Sequence, residues 1–383
     1  METDFLLAGG TDNQLFRQEL LACVTEVRVE QSLDEPTRFA VRFRDDIADG
    51  KLKKASLPEL QIGEMITIAA YRGKGQYACL CRGPILKQES RMTRGGPGSS
   101  LTIMGPDRRD ELDRETRSQN WSGRASDVAR QLLGSVYPQA EIDQTEETYD
   151  LNGHSLTQRA SDLDFLTRVA ADNGLHFWIS YSTITTMPLL GMAVTETANW
   201  KASPPLQSGM PSGTIPTLSL SDDSLTLGYN VPRGQCPNLT RFSLSSDGAR
   251  PSSATAESRS LTDGGDDHVQ SRDPASPMGG RGEGLASRAP GRSMTPRPQS
   301  GASRTRQRSE AALRDAGFFV SAEISTTRHM LKSVLEPHQV VAVKGIGGAN
   351  GRTPFRVKSV THVINGIGHF MDGVIETNVQ IPR

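Results

Sequence analysis

Cysteine is scarce in this 383-residue chain: Cys23, Cys79, Cys81 and Cys236 are too few and too scattered for a disulfide scaffold. Cys79-Leu80-Cys81 lies in a strand pattern, where residues two apart share a face but are splayed along it, so small buried thiols without a bridge are expected. Net charge is nearly absent as well. Lys and Arg number 43 against 44 Asp and Glu, a balance of −1, which leaves no global field to draw in nucleic acid or an anionic membrane. Aromatic residues make up only 5% and are not interleaved with basic ones, as a groove for single strands requires. No apolar run approaches the roughly 18 residues that cross a bilayer. The opening METDFLLAGGTDNQ lacks the basic start and apolar core of a signal peptide, so a soluble chain made in the cytoplasm is expected.

Motifs of catalysis and cofactor binding are equally sparse. The glycine-rich Gly345–Gly351 is followed by a strand pattern, whereas a phosphate cradle needs a helix N-terminus there and a Lys-Ser/Thr. Seven histidines are scattered, with neither H-E-x-x-H nor paired Cys-His spacing; His362 and His369 face each other across a predicted hairpin and are expected to be packing or surface residues. No G-x-S-x-G elbow presents a serine nucleophile. Glu146-Glu147 and Asp222-Asp223 sit in polar stretches, where burial cannot tune a general acid. No catalytic, cofactor-binding or metal-ligating residue is therefore assigned, and no cofactor is expected.

What the chain has is short strands between turns. Residues 19–30 alternate through Leu21, Cys23, Thr25, Val27 and Val29, and Asp34-Glu35-Pro36 turns into Phe39, Val41 and Phe43. Met65–Ala70, a Gly73-Lys74-Gly75 tip, Tyr77–Arg82, Ile85–Glu89, a second tip at Gly95-Gly96-Pro97-Gly98 and Leu101–Met104 continue the pattern, which reads as a barrel ending near Gly105-Pro106. Asp107–Arg117 reads as a charged connection. Trp121-Ser122 opens a helix with Ala125, Val128, Ala129, Leu132, Leu133 and Val136 on one stripe, stopped by Tyr137-Pro138. Late in the chain a helix is predicted at 302–316, followed by strands at Phe318–Ile324, Gln339–Lys344, Phe355–Ile364 and Phe370–Ile381, the last two joined by Gly366-Ile367-Gly368. The last strand alternates Met371, Gly373, Ile375 and Thr377 against Asp372, Glu376 and Asn378, which predicts a sheet with one wet side. Between Ser245 and Ser300 the chain is rich in Ser, Gly, Pro and Arg and poor in apolar residues, so a mobile insertion is expected.

The stretch HSLTQRASDLDFLTRVAADNGLHFWIS carries the most information. Ser155 with Gln158 reads as a capping box; Leu156, Ala160, Leu163, Leu166 and Val169/Ala170 recur at helical spacing; Asn173-Gly174 ends the helix, and Leu175, Phe177 and Ile179 then alternate as a strand. This run resembles the Q-x-x-S-D-x-D-F-L-x-R-x-A-x-x-x-G-x-x-F-W segment of the phage late-control D proteins, a family that includes baseplate hubs of contractile tails and the hub portion of VgrG proteins. Trp121-Ser122-Gly123-x-Ala125-Ser126-Asp127-Val128-Ala129 is similar to the family's preceding helix. Gln339-Val340-Val341-x-Val343-x-Gly345 and Phe355-Arg356-Val357-x-x-Val360-Thr361-His362 are similar to its closing strands.

The resemblance, which covers nearly all of the chain except the flexible insertion at about 245–300, implies a mainly β protein with α+β decoration: two similar antiparallel β-barrel domains, 1–106 and 182–383, with an inserted small α/β module at 107–181. It further implies a homotrimer forming a quasi-sixfold ring, a structural and non-enzymatic baseplate hub joining the tail tube protein to a spike protein, with baseplate wedge proteins around it and no direct nucleic-acid or membrane contact. The expected location is the virion tail baseplate or a tail-like particle, assembled in the bacterial host cytoplasm. Because the chain ends at Arg383, straight after the last strand, spike and wall-cleaving enzyme are expected on separate polypeptides. The rival readings are a tail-associated peptidoglycan hydrolase and an effector-loading hub of a contractile injection system.

Overall fold

The computed structural model describes residues 4–10, 12–33, 35–45, 53–94, 97–151, 155–182, 184–187, 191–203, 225–229, 237–259, 266–272, 278, 292–296, 301–346 and 352–381. In chain order the first part holds β1 (Phe5–Gly9), β2 (Gln14–Leu15), α1 (Gln18–Leu21), β3 (Val24–Ser32), β4 (Arg38–Arg44), β5 (Met65–Gly73), β6 (Gln76–Pro84), β7 (Lys87–Arg91) and β8 (Ser100–Pro106). The middle holds β9 (Thr116–Trp121), β10 (Gly123–Arg124), α2 (Ala125–Gly134), β11 (Gln139–Ile142), β12 (Thr148–Tyr149), β13 (Leu156–Ser161), α3 (Asp162–Asp172), β14 (His176–Tyr181), β15 (Ile184–Met187), β16 (Gly191–Met192) and β17 (Glu196–Lys201). The remainder holds β18 (Thr226–Gly228), β19 (Arg241–Ser246), β20 (Ser253–Arg259), β21 (Asp266–Arg272), β22 (Ser293–Met294), α4 (Ala302–Ala316), β23 (Val320–Thr327), α5 (Arg328–Leu331), β24 (Val340–Lys344), β25 (Arg352–Asn365) and β26 (Gly368–Thr377). The protein is mainly β, as expected.

A ten-stranded sheet dominates. Its main path runs β19-β23-β26-β25-β3-β4-β8-β7, with β24 and β18 branching from β25. Strands from the two ends of the chain meet at β3–β25, an antiparallel pairing that sets Val27 opposite Ile364 and Ser32 opposite Ser359. A second sheet, β16-β15-β6-β5-β1-β2, packs against it. Leu7, Ile66, Ile68 and Leu80 of the second sheet share one apolar core with Val27, Phe39, Val41, Phe43, Ile364 and Ile375 of the first. Neither sheet closes on itself among the described residues, in contrast to the two closed barrels expected. β15, from beyond the α/β module, pairs with β6 of the first part.

Two glycines let the sheets touch. At the crossing of β6 and β8, a Cβ on Gly83 would lie 2.0 Å from the Pro106 carbonyl oxygen and one on Gly105 would lie 2.0 Å from that of Pro84. Only hydrogen fits at either position. Nearby, β6 carries a bulge that leaves Leu80 without a register partner, Cys79 pairing with Ala69 and Cys81 with Ile68. The extra residue reverses the alternation beyond it, so the two thiols do not share a face. Cys79 packs with Tyr71 and Tyr77, Cys81 with the main core, and both are buried and free.

The module between the halves has its own core of Trp121, Ala125, Val128, Leu132, Leu133, Phe165, Leu166, Val169, Phe177 and Trp200. The helix expected to start at Ser155 starts at Asp162 instead. Leu156–Ser161 is a strand paired with Thr116–Trp121, and its inward residues are Leu156 and Gln158. Gln158 does not cap: it is buried, accepts from Trp121 Nε1 at 2.9 Å and donates to Asp162 Oδ1 at 2.7 Å. The true cap is Ser161, whose hydroxyl accepts from the Asp164 backbone N–H. The alternation expected to begin at residue 19 likewise gives way to α1 up to Leu21.

Within 245–300, expected as a mobile insertion, the described residues include strands. β21-β20-β22 form a three-stranded sheet burying Ala254, Ala256 and Val269, and α4 packs on β20 and β21 with Thr305 and Ser309 buried. Small side chains on both sides allow close packing without aromatic bulk. The rest of that stretch lies outside the described residues.

Candidate interaction surface

The eight strands of the main path are antiparallel throughout, and among the described residues both ends of the path are free edges. Among the described residues β7 pairs only with β8, and β19 only with β23. Such edges present unpaired N–H and C=O groups and invite another strand. β19 is exposed over most of its length, including Leu244, and Tyr229 stacks on Phe242 at 6.0 Å beside it. At the other end exposed Leu86 precedes β7, next to a groove of about 430 Å³ between Arg28, Arg38, Lys87 and Met104. Both edges thus combine open backbone with an exposed large apolar side chain.

The β3–β25 junction is fastened by a buried polar chain. His362 Nδ1 lies 3.0 Å from His369 Nε2, His362 Nε2 lies 3.1 Å from Gln31 Oε1, and Gln31 Nε2 donates to the Leu80 carbonyl at 2.8 Å. The two histidines are neighbours as the hairpin predicted, and they are interior. Burial, and then the proximity of His369, push His362 well below the ordinary histidine range; burial, and then Arg328, push His369 down to about 4. Two neutral imidazoles sharing one proton donor between them form a structural link. Among the described residues no three His, Cys, Asp or Glu side chains converge as metal ligands.

At the rim where β4 begins and β8 ends, charges that the sequence presents as a connection are buried. Asp107 Oδ2 accepts from the Thr37 N–H at 2.8 Å and from Arg109 Nη2 at 2.7 Å, while Arg109 donates to the Phe177 and Glu35 carbonyls at 3.0 Å each. Burial pulls the Arg109 pKa down, but the Asp107 carboxylate overcomes it, and the net direction is upward. Arg108 joins Glu111 and Glu196 around the same joint. A second joint stacks Trp178 on His338 with centroids 3.8 Å apart; His338 Nδ1 lies 2.9 Å from the Ser203 hydroxyl. Burial and then His176 lower the His338 pKa well below the usual value, which keeps the imidazole neutral beside the Ser203 hydroxyl. Next to it Arg356 and Glu376 form a fully buried ion pair. The face expected to be wet is therefore partly dry: Glu376 and Asn378 are buried, while Asp372 is exposed.

Glu146 is exposed, and Glu147 binds Arg304 at 3.5 Å and the Ser303 hydroxyl. Asp222-Asp223, residues 347–351 of the glycine-rich loop, Cys236 and His154 lie outside the described residues. The residues missed in the sequence are the edge side chains Leu86, Tyr229 and Leu244. Each falls at the end of a strand order that no local pattern reveals.

No protein-family model matches the sequence, and no curated protein does either. Solved structures do. A tail protein from Neisseria meningitidis superposes with a TM-score of 0.62 at 16% identity, over 98% of this chain and 97% of its own. The 43 kDa tail protein of prophage MuSo2 from Shewanella oneidensis gives 0.60 at 12% identity, over 97% and 98%. A type VI secretion component of E. coli, described as structurally similar to the T4 bacteriophage tail proteins gp27 and gp5, gives 0.51 at 13% identity, over 94% and 76%. At such identities the likeness is one of fold. That fold is shared by phage tail proteins and VgrG-related secretion proteins, in agreement with the family resemblance carried by residues 154–180.

Proposed function

We propose that this chain is the structural, non-enzymatic baseplate hub of a contractile phage tail or tail-like particle, three copies forming a ring that joins the tail tube to the central spike. Residues 1–106 and 182–383 are taken as the two ring-building halves and 107–181 as the α/β decoration, with Glu196–Lys201 of the second half lent to the sheet of the decoration. The observation that carries the reading is the parity of the main sheet path. Eight antiparallel strands end in edges that run in opposite directions, so β7 of one copy meets β19 of the next as an antiparallel neighbour, and the same contact repeats until the ring closes. The path divides into two four-strand runs, β7-β8-β4-β3 and β25-β26-β23-β19, so three copies supply six such runs, as a quasi-sixfold wall needs. The tail-protein neighbours support the same role, and a virion tail or tail-like particle is the corresponding location.

Mass photometry and cryo-EM of the chain, alone and with its spike partner, test the proposal. The expected species is three times the 41.5 kDa chain, with β7 and β19 in one continuous wall. A monomer in the presence of spike, or a complex leaving both edges open, refutes it.

A further inference from the structure

The two rims of the main sheet differ. One receives the α/β module through Asp107, Arg109, Trp178 and His338. The opposite rim carries the connections β7–β8 and β25–β26. The registers place both on that rim: Ser100, at the start of β8, pairs with Arg44 at the end of β4; Val24, at the start of β3, pairs with Phe43; Asn365, at the end of β25, pairs with Glu26.

Each of those two connections holds out a large apolar side chain. Ile367 is 87% exposed and Met92 is 67% exposed, the two most exposed large hydrophobic residues described. Neither sits on a slack loop. Asn365 Oδ1 accepts from the Ile367 N–H at 2.9 Å and from the Gly368 N–H at 3.3 Å, which fixes the tip. Beside Met92 the Thr93 N–H donates to the Ser99 hydroxyl at 3.0 Å, and the Thr93 hydroxyl donates to the Gly98 carbonyl at 3.3 Å.

A single exposed apolar residue is ordinary. The spacing of this pair is not. Counting along the path from β7, Met92 follows the first strand and Ile367 stands between the fifth and sixth, four strands apart, which is about 19 Å along a sheet. The whole path is eight strands, so the interval from Ile367 to Met92 of the next copy in a closed ring is again four strands. Two unlike residues on unrelated hairpins thus fall at even intervals, and a threefold ring presents six apolar pegs with near-sixfold symmetry.

We propose that this rim is the axial docking face of the hub, and that Met92 and Ile367 are the pegs that seat it on a coaxial sixfold ring of the tail-tube type, whose end offers one apolar socket per subunit. The inference rests on the trimeric-ring reading above and adds to it a polarity, a rim and the residues that make the contact. Six equivalent weak contacts engaging together give a firm seat through effective concentration, and each is individually replaceable. The module rim, in this arrangement, points away from the tube.

The test uses the full chain and stacked rings of a tail-tube protein from the same source, with co-sedimentation as readout and mass photometry run in parallel. Met92→Asp and Ile367→Asp change exposed side chains, so melting temperature and ring mass are expected to stay at the wild-type values. Each is expected to weaken tube co-sedimentation about tenfold or more, and the double variant to abolish it. Leu151→Asp, on the module and 59% exposed, serves as the control and leaves tube binding unchanged. Wild-type binding by the double variant, or loss of binding only with Leu151→Asp, overturns the docking face while leaving the hub intact. If the wild-type chain neither forms a ring nor sediments with tubes, the hub proposal falls first, and this inference with it.

Discussion

Asp107→Asn removes one charge and almost no volume from the joint between the large sheet and the α/β module. The Asp107 carboxylate is 1% exposed and faces Arg109, which is 3% exposed, so the variant leaves a buried guanidinium with neutral acceptors alone, the new amide oxygen and the Phe177 and Glu35 carbonyls. Asparagine still accepts from the Thr37 N–H, so the loss is mainly electrostatic. Breaking a buried pair in this way costs about 3–5 kcal/mol, a fifth or more of the ~5–15 kcal/mol that holds a typical domain together. Urea titration followed by tryptophan fluorescence reads the change as a lower midpoint at unaltered slope, with Trp178 beside the joint as reporter. The companion variant Asp107→Asn/Arg109→Met discards the stranded charge and keeps an apolar stem over Phe177, so it is expected to recover at least half of the loss. A single variant within about 1 kcal/mol of wild type, or a double variant worse than the single, refutes the account of this joint as a buried charge pair.

Gly83→Ala and Gly105→Ala each force a methyl to 2.0 Å from a backbone oxygen, and expression of either is expected to yield aggregated protein or a melting temperature many degrees lower; wild-type melting rejects the crossing. Phe165→Asp, at a position 1% exposed in the module core, is expected to prevent soluble folding, and Leu163→Asp to do the same; soluble recovery with unchanged melting counts against the buried face of α3. His369 has a folded pKa of about 4, below the ordinary value, so the unfolded chain takes up the proton first as pH falls. Its contribution is complete above about pH 6.5 and is lost progressively between there and pH 4, roughly 3 kcal/mol in all. Denaturation midpoints at pH 7 and pH 4.5 are therefore expected to differ less in His369→Gln than in wild type, and an equal or larger difference rejects the buried-neutral assignment.

Local order was legible wherever one signal had no rival. Gly317 ended α4 at the predicted residue, Phe39, Val41 and Phe43 point inward from β4, and the tips at 73–75 and 366–368 join the strands they were expected to join. The helix start was misread because Leu156 and Gln158 fit helical and strand spacing alike over so short a run. Ser161 with Asp164 supplied a second cap, and the strand that decides between them, Thr116–Trp121, lies far upstream. Buried charge was illegible for a different reason. Arg109, Arg356 and Glu376 are each tolerable inside only because a partner is there, and a sequence does not announce partners. Leu86, Tyr229 and Leu244 were invisible as a set, since edges exist only once strand order is known.

The same physics explains how a fold can be held over 98% of a chain at 16% identity with no family model matching. A wall of antiparallel strands asks for alternation, for hydrogen at a crossing such as Gly83 and Gly105, and for every buried charge to meet its opposite. Each demand fixes a property and leaves the residue open. Volume-conserving swaps such as Ile for Leu on an inner face cost less than about 1.5 kcal/mol, while inserting a strand would reverse the direction of one free edge and turn its antiparallel neighbour into a parallel one. If three copies close into a ring, selection acts on strand number, edge direction and the rim spacing of Met92 and Ile367 before it acts on most side chains. Relatives should then differ freely along β3 and β25 and agree in keeping a large apolar residue at each of the two hairpin tips, four strands apart.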